Sequence, residues 1–443
     1  MKLDVRVCGK IVAKLYRERD EYVLTYLAGT DPADFVSLTM PVREESWRWP
    51  RDLHPFFRQN LPEGYLLSVI REEFGPLLDG TDLSLLAVVG GMGIGRVTVT
   101  PEGGALLADM EPLQVEKLLK AENTTAQFAR LVRRYARASI SGMVPKFIAP
   151  EDQSAGVALT VGKPTLRTGF HIIKGSDEGT PYLGFNEFYT MRVLERLKVV
   201  PVARTRMSDD GCVLVVDRFD VDARGSVTHG VEDACGLLGL PPHEKYATTT
   251  ERVLSATRAY LPNEIAQAQL EQFGWHMLAN YVVRNADCHA KNTALYYTSL
   301  RDVAYTPVYD LVTTQAYSRY AANPPGLPID GRQTWAAGKT LERFFKSRLG
   351  ITPKKYTEMV EQLCESAVEV GREVIEAAKN ERRFETVAKH MVHAWNDGMA
   401  SLRSPKSLVR FKGLSEAIVQ AGFSMPDPPE SGRVVIGRSD LLG

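Results

Sequence analysis

Charge of one sign is not in excess in this chain: Lys and Arg together number 54, and so do Asp and Glu. Such a balance gives no global field to gather nucleic acid or an anionic membrane, although a local patch could still do so. Long apolar runs are also missing, since no stretch reaches the roughly 18 uninterrupted apolar residues that a bilayer crossing needs. The opening Met1-Lys2-Leu3-Asp4-Val5-Arg6 lacks the apolar segment of a signal peptide. A cytoplasmic protein without membrane contact is expected. Cysteine is scarce, with Cys8, Cys212, Cys235, Cys288 and Cys364 scattered and no C-x-x-C pair. That excludes a disulfide framework or a zinc knuckle and leaves reduced thiols. Internal repeats, low-complexity tracts and sustained heptads are absent too, and only 426–443 reads as a loosely ordered tail.

What is present is a chain of 443 residues with ordinary hydrophobic content, enough for two or three lobes. Residues 3–40 alternate apolar and polar positions in short runs and predict a β-meander. Helical periodicity follows from Phe56 to Phe74, after Pro55. Gly90 to Gly95 reads G-x-G-x-G and precedes a strand-like Arg96 to Thr100, so it predicts a turn beside a strand and not a nucleotide loop. A helical run at Pro112 to Ala136 leads through a Ser/Gly segment to strand, helix and strand at Gly169–Lys174, Asn186–Leu197 and Cys212–Asp217. From Asp220 onward helices dominate, at Ile265–Val283, Lys354–Lys379 and Phe384–Leu402.

The chemistry concentrates directly after the first of these C-terminal helices. Asp287, His289 and Asn292 form a D-x-H-x-x-N string, and Asp310 follows between Tyr309 and Leu311. Phosphoryl transfer from ATP needs an Asp to orient and deprotonate a hydroxyl, plus an amide oxygen and a carboxylate to hold Mg²⁺. Asp287 and Asn292 stand five apart, as do the catalytic Asp and metal-binding Asn of protein kinases. Lys174 closes the run His171-Ile172-Ile173, as suits a strand lysine held over phosphates, and Glu187 in the next helix can pair with it. Each has an ordinary reading as well: a solvent-facing strand-end lysine, a first-turn acid, a loop or core-edge Asp, a packed His. Ser139-Ile140-Ser141-Gly142-Met143-Val144-Pro145-Lys146 has the ingredients of a phosphate loop, and equally those of a polar turn.

Together these blocks resemble the HipA-type serine/threonine kinases, toxins of bacterial type II toxin–antitoxin systems. The likeness also draws on Phe56 to Gly64, an S-x-x-G-x-x-x-K loop from Ser139 to Lys146, Asn186 to Tyr189, Val216 to Asp220, Gly239 to Pro241 and Lys245-Tyr246. It implies an α+β, two-lobed protein-kinase-like fold with a small N-terminal β-rich subdomain and a mainly helical C-lobe. We place these units at 1–106, 107–218 and 219–443. It further implies that Asp287 is the catalytic base and that Asn292 and Asp310 hold Mg²⁺. ATP would be bound by Ser141, Gly142, Met143, Val144, Lys146, Lys174, His289, Lys291, Asn292, Tyr309 and Asp310, with Asp217, Arg218 and Phe219 as the adenine hinge. Ser139 would be autophosphorylated, with Ser141 the alternative. The substrate would be an aminoacyl-tRNA synthetase, foremost glutamyl-tRNA synthetase, and the partner a HipB-like helix-turn-helix antitoxin that binds operator DNA. Val144, and Asp217 in place of Glu, depart from the family pattern without removing a catalytic group. A small-molecule or lipid kinase and a non-enzymatic antitoxin-binding co-repressor remain alternatives.

Overall fold

The alternation of Leu3, Val5 and Val7 with more polar neighbours lets strand β1 (Lys2–Val7) bury one face while pairing with two partners. The two-residue turn Cys8-Gly9, with φ of 47° and 81°, has the twist that an antiparallel hairpin prefers. It leads into β2 (Lys10–Glu18), followed by β3 (Glu21–Tyr26), β4 (Trp47–Pro50) and, much later, β5 (Val97–Pro101). Their order is β4-β3-β2-β1-β5, antiparallel throughout. The computed structural model describes residues 1–62, 64–75, 78–104, 114–124, 126–131, 165–335, 338–403 and 410–423. The loop Ser139–Lys146 and the tail 426–443 lie outside these residues.

A second sheet, β6-β7-β9-β8, carries β6 (Thr165–Arg167), β7 (His171–Gly175), β8 (Thr205–Met207) and β9 (Val213–Asp217). The helix Leu183–Glu195 packs on it. Beyond it, a mainly helical body is built on Ala266–Val282, Pro353–Asn380 and Glu385–Leu402. A third sheet, β10 (Gly230–Asp233), β11 (Ala294–Ser299) and β12 (Asp302–Tyr305), sits within that body. All five cysteines are free thiols.

Four expectations need correction. The Phe56–Phe74 helix is two helices, Pro55–Arg58 and Gly64–Phe74, because Pro62 lacks an N–H and disfavours helical backbone in the residue before it. The meander stops at Tyr26, since Asp31 caps a short 3₁₀ turn at Pro32–Asp34 and ends the extended run. The run from Pro112 is broken after Lys120, where the Asn123 side chain captures the carbonyls of Leu118 and Ala121. The third sheet was not anticipated among the helices; two of its strands are only four residues long.

The N-terminal unit docks on β10 through buried polar contacts. The Gln59 amide donates to Val231 O (2.9 Å) and accepts from Asp233 N–H (3.1 Å), as a neighbouring strand would. Gly95 N–H donates to Asp220 (2.7 Å); its φ of 93°, and the 2.9 Å that would separate a Cβ from Val231 N, require glycine there. Arg96 donates to Thr298 O and Phe35 O while its guanidinium lies over the Phe35 and Tyr297 rings.

Glu232 is the buried centre of this junction. It accepts from Leu38 N–H (2.6 Å), Tyr297 OH (2.7 Å) and Ser37 OH (2.8 Å). Burial pushes its carboxyl up to about 7, against the opposing pull of these three donors. An acid whose folded pKa is raised is most favourable below its unfolded value, so stability should fall as pH rises from about 4.5 to about 7. The expected span is on the order of 3 kcal/mol. Urea titrations across that range should show the slope, and Glu232→Gln should flatten it.

Candidate active site

Strand β7 lies between β6 and β9, so Lys174, opposite Leu214, projects from the middle of a sheet. Its ammonium is 2.5 Å from Glu187 Oε1 and 2.5 Å from Asp310 Oδ1. Burial alone would lower the lysine pKa. The Asp310 and Glu187 carboxylates outweigh it and hold the group above its ordinary value, charged. Lys174 and Asp310, 136 positions apart in sequence, thus share one ion-pair cluster with Glu187.

Glu187 is fixed by its helix. Leu183–Glu195 is anchored along Pro353–Asn380 by Ser366 OH donating to Val193 O (2.8 Å) and by Arg192 on Glu373 (2.8 Å). Next to Glu187, the fully buried Asn186 amide makes a reciprocal pair with the Thr313 backbone. Oδ1 accepts from Thr313 N–H (2.9 Å), and Nδ2 donates to Thr313 O (3.0 Å). The Thr313 hydroxyl also accepts from Trp395 Nε1–H (2.6 Å), from the helix Glu385–Leu402. Asp310, three residues earlier, sits at φ 59°, a left-handed conformation that is costly for Asp and is held by these neighbours.

The D-x-H-x-x-N run starts where Ala266–Val282 ends, at Arg284, another left-handed residue (φ 56°). Thr314 accepts from Ala286 N–H (2.8 Å) and donates to Arg284 O (2.9 Å), so the segment after Asp310 is stapled to the run. Asn285 Nδ2 donates to Asp310 O (3.3 Å), and the Tyr309 hydroxyl to Lys291 O (2.7 Å). Asn292 Nδ2 donates to Asp287 O (2.9 Å), closing the loop across its own five-residue span.

Asp287 is buried and accepts a short hydrogen bond from the Tyr246 hydroxyl. His289 packs edge-on against the Tyr246 ring, with Nε2 at 3.6 Å from Asp287 Oδ1, beyond hydrogen-bond reach. Burial and the Lys245 ammonium hold His289 well below its usual pKa, so it is neutral. Its Nδ1 has no partner among the described residues, and the residue lines a cavity of about 40 Å³ with His276, Asn280 and Cys288, large enough for water. Burial pushes the Cys288 thiol up to about 11, which leaves it a poor nucleophile.

The structure therefore brings Lys174, Glu187 and Asp310 into contact and joins Asp310 to the run through Asn285. The hinge side chains stand apart. Asp217 faces His171, Arg206 and Arg204 at 3.6 to 3.9 Å, and Arg218 binds Asp220. Their backbone N–H groups are committed to Arg204 O and Phe170 O, whereas that of Phe219 makes no hydrogen bond among the described residues. The Phe219 ring lies 5.9 Å from that of Tyr309. Ser139, Ser141, Gly142, Met143, Val144 and Lys146 fall outside the described residues. Sequence reasoning gave no role to Tyr246, Asn186, Thr313 or Thr314. The first two stand in quoted blocks, but no spacing rule marks them.

A lysine-bearing sheet, a helix supplying its glutamate partner and a helical body carrying Asp287, Asn292 and Asp310 define a two-lobed kinase-like fold. Comparison with known proteins narrows this further. The pattern described as HipA N-terminal domain matches residues 3–100, and that described as HipA-like C-terminal domain matches residues 138–370. The chain belongs to the HipA family. It is 26% identical over 341 residues to "Putative kinase Y4dM" of Sinorhizobium fredii, covering 73% of this chain and 74% of that one. It is 29% identical over 307 residues to "Putative kinase Y4mE" of the same organism, covering 64% and 69%. The solved HipA of Shewanella oneidensis MR-1, in a toxin–antitoxin complex with HipB and operator DNA, shares the fold. Its TM-score is 0.62 at 19% identity, over 90% of this chain and 97% of that one.

Replacing Asn186 by Leu would leave the buried Thr313 N–H and C=O unpaired. That should cost about 3 kcal/mol, read as a lowered urea midpoint with unchanged slope.

Proposed function

We propose that the chain is an ATP-dependent serine/threonine protein kinase and the toxin of a type II toxin–antitoxin pair, acting in the cytoplasm. The observation that carries this reading is the Lys174–Glu187–Asp310 ion-pair cluster joined to the Asp287–Asn292 loop. A lysine paired with a helical glutamate, a base Asp and a further acid for the metal is the set that phosphoryl transfer from ATP uses. Among the described residues no three His, Cys, Asp or Glu side chains are grouped to hold a metal. The oxygen donors of Asn292 and Asp310 suit Mg²⁺, which is commonly held by one or two protein ligands together with phosphates and water. Mg²⁺, when bound, would neutralise phosphate charge.

The other tasks fall to side chains of this chain. Lys174 would turn from Asp310 toward phosphate oxygens while Glu187 keeps it oriented, and Asp310 and Asn292 would hold the metal. The Phe219 N–H, uncommitted among the described residues, is the hinge donor for adenine. Asp287 takes the proton of the attacking hydroxyl as its oxygen bonds to the γ-phosphorus and ADP departs. We assign residues 1–106 to the N-terminal subdomain, 107–218 to the kinase N-lobe and 219–443 to the C-lobe. The substrate in this reading is an aminoacyl-tRNA synthetase, foremost glutamyl-tRNA synthetase, whose phosphorylation lowers translation. A HipB-like helix-turn-helix antitoxin, bound to operator DNA, is the partner. Autophosphorylation at Ser139 silences the enzyme. No helix among the described residues is long and apolar enough to cross a membrane.

Incubation with Mg²⁺ and radiolabelled ATP should place label on protein, and Asp287→Asn should remove it; equal labelling in that variant refutes the mechanism. Label found in a small molecule instead would favour the small-molecule kinase alternative. Intact-mass measurement should show one added phosphate that Ser139→Ala loses, whereas a phosphate that survives and maps to Ser141 moves the site.

A further inference from the structure

We infer that Tyr246 is a positioning residue for the catalytic base, and this rests on the kinase reading of Asp287. Tyr246 lies 41 residues before Asp287, on the segment that follows the short 3₁₀ turn Pro242–Glu244, and both side chains are buried. Three contacts lock that segment to the catalytic loop. The Tyr246 hydroxyl donates to Asp287 Oδ1, its ring packs edge-on against His289 with centroids 5.1 Å apart, and the carbonyl of Lys245 accepts from Ala290 N–H at 3.1 Å.

A buried carboxylate on a loop keeps one orientation only if something grips it. The backbone contacts Asn285 Oδ1 to Asp287 N–H (3.0 Å) and Asn292 Nδ2 to Asp287 O (2.9 Å) fix where the residue begins. They do not fix the torsion that turns its carboxyl. The Tyr246 hydroxyl does, because it holds Oδ1 and so sets the plane in which the other oxygen meets an incoming hydroxyl. His289 does not substitute, since its Nε2 stands 3.6 Å from Oδ1, beyond hydrogen-bond reach. Lys245 lies beside the Tyr246 ring, its ammonium 5.7 Å from the ring centroid, and adds to the packing of this segment. Tyr246 touches neither nucleotide nor substrate in this account, so its removal should slow phosphate transfer without weakening ATP binding.

The test compares wild type, Tyr246→Phe and Tyr246→His as full-length proteins. Single-turnover self-labelling with radiolabelled ATP and Mg²⁺ gives the transfer rate, calorimetric titration gives ATP affinity, and thermal melting reports the fold. Loss of the hydroxyl in Tyr246→Phe should slow transfer roughly 10- to 100-fold with ATP affinity held near wild type, while the melting temperature falls only by the few degrees that one lost buried hydrogen bond costs. Tyr246→His, which restores a donor, should recover part of the rate. A Tyr246→Phe rate near wild type overturns the inference, as does a slow rate matched by equal losses in affinity and melting temperature. A wild-type chain that takes no label at all removes the kinase reading, and this inference with it. Labelled wild type with an unaffected Tyr246→Phe removes only this inference.

Discussion

A buried ammonium shared between two carboxylates is an expensive arrangement, and the rest of the molecule is organised around keeping it. Lys174 loses hydration by lying inside the sheet, and the 2.5 Å contacts to Glu187 and Asp310 offset that loss only while all three groups stay in register. Were either acid to move, an uncompensated charge would remain inside the protein. Three separate elements must therefore hold fixed relative positions: strand β7, the helix Leu183–Glu195 and the segment after β12. Holding these three groups in register and keeping the fold stable are the same requirement here.

Neutral hydrogen bonds meet that requirement. Asn186 ties the glutamate's helix to Thr313, the next residue, Thr314, ties that segment to the start of the Asp287–Asn292 run, and Trp395 braces Thr313 from behind. Helix Glu385–Leu402 can reach this point because Gly398 lets it approach Val282; a Cβ there would lie 2.0 Å from the Val282 carbonyl oxygen. Neighbouring residues on one short segment face opposite ways, Thr313 toward the helix and Thr314 toward the loop. The Lys174–Glu187–Asp310 cluster and the Asp287–Asn292 loop are thus assembled from both lobes at once.

Long elements and short-range motifs were legible in the sequence. Helices such as Pro353–Asn380 announce themselves by sustained periodicity, and Asp287 to Asn292 by spacing, because both signals lie within one stretch of chain. Pairing of Lys174 with Glu187 could be read as one of two options, since strand and helix are adjacent. What stayed hidden depends on contacts between distant segments. Tyr246 has no local pattern that marks it as a partner of Asp287, and the left-handed Asp310 and Arg284 are conformations that tertiary packing imposes. The split at Pro62 was readable in principle, because a proline seven residues beyond a helix start rarely continues it. The sheet β10–β12 was not, because strands of four residues carry too little alternation to compete with surrounding helices.

The Gln59 amide, lying along Val231 and Asp233, has a bearing on how a sheet edge is guarded. Strand β10 is the outer member of its sheet, and such an edge offers unpaired backbone groups to any passing strand. The N-terminal unit, which precedes β10 in the chain, covers that edge with the Gln59 side chain. A fragment beginning after residue 106 would therefore leave β10 with an open edge, its backbone groups exposed to pairing with other strands.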